Sequence, residues 1–303
     1  MNKIHLTIHA ALLLAMPLLL LGIIGKTKAA FAGRVGPPLL QPTFDVIKLL
    51  RKGSVFSRTT TWVFKAGPLV GMVTALFAAA LTPLGGHVAP IAFDGDLVLF
   101  AYLFGLGRFF TVAAALDTGS AFEGMGGARE VTFSCLTEPA LFFGLIVLNR
   151  LSGSLSLSTM LGPGLGQAWH HGGASLVLVA FSLFIVLLAE TCRIPIDDPN
   201  THLELTMIHE VMVLDHGGPA LGLIEYAAAL KLFVLGSVVV RIAIPYGGNP
   251  WTGWGLFALG MVLLAVLIGV VESTMARLRM AQVPILLVAA CLLSAFGIVL
   301  VAR

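Results

Sequence analysis

Of the chain's 303 residues, 58% are hydrophobic and 11% charged, against roughly 25% charged in a soluble domain. A water-soluble core of this length cannot enclose so much apolar surface, so a soluble globular fold is excluded and the sequence predicts an integral membrane protein. The net charge of +3 says less than where the cations lie, and no nucleic-acid partner is expected.

The first thirty residues resemble a secretory signal, with Lys3, an apolar run and the small residues Ala29, Ala30 and Ala32. Signal cores span roughly 7–15 residues. The run from Ile4 to Ile24, broken mainly by His5, Thr7 and His9, is longer, so it is expected to stay as a first span. Crossing the hydrocarbon takes about 20 mainly apolar residues. Runs of that length occur near 4–25, 62–84, 95–117, 131–149, 174–192, 220–244, 254–273 and 281–302. The expectation is one all-α membrane domain over residues 1–303, with about eight transmembrane helices and short amphipathic cytoplasmic helices.

The loop after the first span carries Lys26, Lys28, Arg34, Lys48, Arg51, Lys52 and Arg58, with Lys65 just inside the next helix. Strict alternation adds Arg129, Arg193, Arg277 and Arg279 to that side, and Lys3, Arg150, Arg241 and Arg303 to the other. Twelve cations against four place the loops at 26–61, 118–130, 193–219 and 273–280 in the cytoplasm and both termini in the periplasm. Thr43–Lys52 reads as a short helix with Phe44, Ile47 and Leu50 on one side, suited both to anchoring on anionic lipid and to docking a soluble subunit, two compatible roles. Residues 150–173 read as a Ser/Gly-rich loop ending in His170 and His171.

Charges within or at the ends of spans are Arg108, Asp117, Glu138, Glu190, Glu225, Lys231, Arg241 and Glu272. Each costs roughly 2.5–3.5 kcal/mol at a helix centre. Asp117, Glu190 and Glu272 fall near cytoplasmic ends, within reach of water, whereas Glu138 and Glu225 lie deeper, about one to two turns in. Pro139 frees a carbonyl beside Glu138. The acids can relay protons or pin helices together. Glu225 and Lys231 are six residues apart, about 240° around a helix, so each must find its partner on another helix.

The loop 193–219 carries Asp197, Asp198, Glu204, Glu210, Asp215, His202, His209 and His216. Pro195 and Pro199 stop the preceding helix. From Asn200 or Thr201 an amphipathic helix to about Leu214 is expected, with Leu203, Met207, Val211 and Leu214 as its stripe. The histidine spacing of seven lacks the one-turn pairs metal sites favour, and no metal site is expected. Cys135, Cys192 and Cys291 form no ligand spacing and read as buried apolar residues.

These stretches resemble a known family. Gly33-Arg34-Val35-Gly36-Pro37-Pro38-Leu39-Leu40-Gln41-Pro42, followed by Asp45 and Lys48, looks like the first cytoplasmic loop of the complex I subunit 1 family. Glu190-Thr191-Cys192-Arg193-Ile194-Pro195 with Asp197, Pro199 and Glu204, and the pair Glu225-Tyr226, resemble its other signatures. Residues 116–130 and 197–214 are similar to the branch found in group 4 nickel-iron hydrogenases, as in formate hydrogenlyase and hydrogenase 4. The fused Gly-Pro and Leu-Leu-Gln-Pro turn departs from quinone-reducing members, as does Asp215-His216 where the family has Glu-Tyr.

The resemblance implies a membrane anchor in a bacterial or archaeal cytoplasmic membrane, coupling electron transfer to proton or sodium movement. Implied partners are hydrogenase large and small subunits, an iron-sulfur subunit and antiporter-like membrane subunits. The NiFe centre and iron-sulfur clusters would lie in those partners, with no cofactor on this chain. Implied pathway residues are Glu138, Glu190, Asp197, Glu204, Glu210, Asp215 and Glu225, with Asp117 and Lys231; Arg34, Gln41, Asp45, Lys48 and Arg193 would organise docking. The competing readings are a quinone-site subunit of a complex I-like enzyme, a free-standing ion transporter and a purely structural anchor.

Overall fold

The computed structural model describes residues 3–197, 207–245 and 249–302. Its regular elements are helices: α1 (Lys3–Phe31), α2 (Gln41–Leu50), α3 (Trp62–Leu81), α4 (Asp96–Asp117), α5 (Ala121–Ser152), α6 (Leu157–Met160), α7 (Leu165–Glu190), α8 (Gly218–Ala243), α9 (Pro250–Thr274) and α10 (Val283–Val301), with a 3-10 turn at Glu210–Val213. Eight of them are long and apolar enough to span a membrane. Successive spans alternate in direction, so the start of α1 and the end of α10 fall on one face. The 26–61, 191–197, 207–217 and 275–282 segments fall on the other.

Helix α8 is the axis of the bundle, packed on α1, α2, α3, α7 and α9. Around it α3 lies along α4, α1 along α9, and α10 against α5 and α7. Many large apolar side chains of the outer helices stay exposed, Leu14, Phe109, Phe181, Leu263 and Ile285 among them. That surface matches a hydrocarbon solvent.

Three expectations change. Residues 121–130 are not loop: α5 starts at Ala121, with the Ser120 hydroxyl accepting from the Glu123 amide. The glycines that suggest a loop serve packing, since a Cβ on Gly126 would lie 2.1 Å from the Val211 side chain. His170 and His171 belong to α7, beside a kink at Gly172. Over 207–214 the expected amphipathic helix shrinks to the 3-10 turn, because Asp197 Oδ2 accepts from the Ile208 and His209 amides (3.1 and 3.2 Å) and Met207, Val211 and Met212 bury against Val112 and Ala115. The remainder of that helix, with His202, Leu203 and Glu204, lies outside the described residues.

Candidate functional site

Five charged side chains from four helices meet inside the bundle. Arg108 of α4 donates to Glu190 of α7 through Nη2, to Glu138 of α5 through Nη1 (2.5 Å), and pairs through Nε with Glu130 (3.2 Å). Lys231 of α8 reaches Glu190 Oε2 at 2.7 Å, and Thr137 donates to Glu190 Oε1 at 3.2 Å. Arg108 lies nine residues from the end of α4 and Lys231 thirteen from the start of α8, about 14 and 20 Å along their helices. Three carboxylates around two cations leave one negative charge over.

Water-sized space adjoins it. A cavity of about 90 Å³ is lined by Thr74, Gly107, Arg108, Thr111, Glu130, Glu190 and Lys231, with His209 and Cys192. A larger one of about 660 Å³ opens toward the face of the 26–61 loop, lined by Lys28, Arg193, Glu210, His216 and Glu225 among apolar residues of α1 and α8. Thr191, Cys192, His209, Ile224 and Ala228 line both. A third space of only about 10 Å³ brings Asp197 beside Glu130 and Glu190. Burial lowers the pKa of His209 and raises that of the Cys192 thiol well above its usual value. His216, stacked on Phe64 at 3.9 Å, is pushed down to about 4 by burial.

A second ionic group ties the loops of that face. Glu272 pairs with Lys28 (2.8 Å) and Arg193 (3.1 Å), and Arg277 donates to Asp197 Oδ1 at 2.8 Å. Glu190, expected near water at a helix end, is instead buried, its side chain 6% exposed. Where α7 stops, the chain is still inside the bundle, with Cys192, Ile196 and Asp197 buried. Lys231 finds its partner on another helix, as its spacing from Glu225 requires. Glu138 lies in mid-helix with its side chain 47% exposed on the bundle's flank.

The other expected residues separate by environment. Glu210 and Glu225 face the large cavity. Asp215 is exposed, its amide donating to Glu123 Oε1 at 3.1 Å. Asp117 accepts from the Thr61 amide and hydroxyl (2.6 and 2.8 Å) and so caps α3. Arg193 pairs with Glu272, its side chain 13% exposed. Arg34, Gln41, Asp45 and Lys48 belong to the 33–50 stretch, where Gln41 Nε2 donates to Asp45 Oδ1 at 2.9 Å. Sequence reasoning singled out neither Glu130 nor Glu123, counted Arg277 only among the loop cations, and gave Arg108 no role. Glu130 lies eight residues before Glu138, within a quadrant of it on a helix, a signal hidden by reading 118–130 as loop.

Known proteins match this chain over nearly its whole length. A family described as NADH dehydrogenase matches residues 3–302. Formate hydrogenlyase subunit 4 of Escherichia coli (strain K12) is 32% identical over 94% of this chain and 94% of its own length. Hydrogenase-4 component C of the same organism is 31% identical, covering 89% and 87%. A subunit of the NADH-quinone oxidoreductase of Rubrobacter xylanophilus is 26% identical over 82% and 77%. A chain in the structure of the membrane-bound sulfane sulfur reductase, an archaeal respiratory membrane complex, shares the fold at a TM-score of 0.83 and 20% identity, over 98% and 97% of the two chains. This multi-pass membrane chain belongs to the NADH dehydrogenase family, of the complex I subunit 1 type.

Proposed function

We propose that this chain is the membrane-anchoring and ion-coupling subunit of a membrane-bound hydrogenase complex. It docks a soluble arm carrying the NiFe centre and iron-sulfur clusters, and holds no redox cofactor itself. The observation that carries the reading is the buried chain of charge from the cavities at the loop face to Glu138, together with the near full-length similarity to formate hydrogenlyase subunit 4. Electron transfer in the docked arm shifts protons at Glu210, Asp215 and Glu225, Asp197 and Glu190 receive them, and Glu138 delivers them sideways. Glu204 joins the first group by its sequence. The half-exposed flank at Glu138 suits contact with an antiporter-like membrane subunit.

The surplus of cations in the 26–61 loop orients that face to the cytoplasm of a bacterial or archaeal cell, with both termini across the membrane. Arg34, Gln41 and Asp45 meet the soluble arm, and Lys48 borders them. Arg193 acts on docking through Glu272, by holding the loop that carries Asp197. A second reading, a quinone-reducing complex, is favoured by one feature, the cavity of about 660 Å³ with its mainly apolar wall.

The test is isolation of the tagged chain in mild detergent, with metal analysis and a hydrogen-evolution assay on what accompanies it. Nickel, iron-sulfur subunits and hydrogen evolution together support the hydrogenase reading. Iron-sulfur subunits without nickel, with quinone-dependent turnover, move the chain to the second reading. A chain isolated alone that still moves ions overturns both.

A further inference from the structure

Helix α2 is short, yet it does not ride above the bundle. The Leu39 carbonyl lies so close to Gly22 that a Cβ there would sit 1.9 Å from its oxygen. Gly22 is nine residues from the end of α1, about 14 Å inside it. Val46, the buried residue of α2, packs with Leu18 of α1 and Ala229 of α8. Ala229 is eleven residues from the start of α8, about 16 Å along the axis. The other end of α2 is shallower: Leu49 and Leu50 rest on Gly222, and Gly53 then reaches Gly218, the first residue of α8. The helix therefore lies sunk beside α1 and α8, rising toward the loop face.

At that depth its outward stripe is apolar. Phe44 is 56%, Ile47 42% and Leu50 48% exposed. Cations follow where the chain rises: Lys48 at the stripe's border, then Arg51 and Lys52 between the levels of Gly222 and Gly218. Trp62, 70% exposed, begins α3, and Lys65 lies over the Phe56 ring at 4.8 Å. In residues 26–61 the one acid is Asp45, which already accepts from Gln41. Acyl chains satisfy an apolar stripe at this depth, and anionic headgroups satisfy a basic rim just above it.

We propose that α2 is an interfacial anchor for anionic phospholipid: Phe44, Ile47 and Leu50 lie among acyl chains, and Lys48, Arg51 and Lys52 hold headgroup phosphates. This surface is separate from the polar edge at Arg34, Gln41 and Asp45. It does not depend on which electron carrier the assembly uses, and hydrogen evolution plays no part in testing it.

The test uses the full chain with Cys135, Cys192 and Cys291 replaced, in nanodiscs of phosphatidylcholine and phosphatidylglycerol. Spin labels enter at Phe44→Cys, Ile47→Cys and Asp45→Cys. Labels at 44 and 47 are expected to be relaxed several-fold more by oxygen than by a water-soluble nickel chelate, and the label at 45 the reverse. A label at 44 or 47 open to the chelate overturns the proposal. So does exclusion of both reagents there in the intact complex, which would mean that protein covers the stripe. Independently, native mass spectrometry of Lys48→Gln/Arg51→Gln/Lys52→Gln, with native cysteines, should show retained phosphatidylglycerol relative to phosphatidylcholine falling at least about fivefold. Unchanged retention also overturns the proposal.

Discussion

Helices α4 and α8 each bring two charges into the bundle, and on each helix the two behave differently. At the start of α4, Asp96 accepts from the Leu157 amide (2.7 Å) and the Ser156 hydroxyl (3.0 Å). Near the end of α8, Arg241 donates to the carbonyls of Leu161 and Gly162 (both 2.6 Å). Together they clamp the single turn of α6 from both ends. Twelve residues along α4 and ten back along α8, Arg108 and Lys231 face carboxylates instead, with cavities beside them. A buried charge held by local backbone is a fastener. A buried charge held by titratable side chains next to water-sized space can change its proton inventory.

The difference can be tested by force. Arg108→Ala leaves three carboxylates facing one cation and should cost about 3–5 kcal/mol of stability. Denaturant titration in detergent checks it, and an unchanged midpoint would show that Arg108 does not hold the cluster. His216 comes next. Its folded pKa of about 4 lies below the usual 6.5 of a histidine, so the folded state favours the neutral ring. Its contribution is intact above about pH 6.5 and fades as pH falls toward 4, by about 2–3 kcal/mol. His216→Phe keeps the stack on Phe64 and should remove that loss, while parallel pH curves for the two proteins would refute it.

Asp96→Ala orphans the Leu157 amide and should cost about 2 kcal/mol, with turnover per folded complex unchanged. Lost turnover at full stability would make Asp96 part of the relay and erase the contrast. The smallest effect in energy is the most informative. Glu138→Gln should lower coupled proton translocation about tenfold, or about 1.4 kcal/mol, with the melting midpoint hardly moved; a large loss of stability instead would make Glu138 a fastener too.

The eight spans were legible because hydrocarbon imposes a length and bars most charge, and each expected run lies wholly or largely within a helix. What composition could not give was how far helices continue into polar sequence. Helix α5 begins ten residues before its apolar run because Ser120 caps it and Gly126 admits Val211. The site was half legible. Its acids stand out as expensive residues, but Glu190 and Lys231 are 41 positions apart, and no periodicity reports that contact. The depth of Glu190 was misjudged for the same reason, since α7 ends inside the bundle and the residues after it stay buried.

The clamp on α6 has one more consequence. A membrane that stores an ion gradient is a capacitor, and a proton wire reaching both plates would discharge it. Beneath the cluster, toward the far face, stand a guanidinium too basic to release its proton and a carboxylate already occupied by fixed donors. On the route proposed above, the same two residues that fasten α6 would insulate the far end of the bundle and leave the flank at Glu138 as the exit for charge.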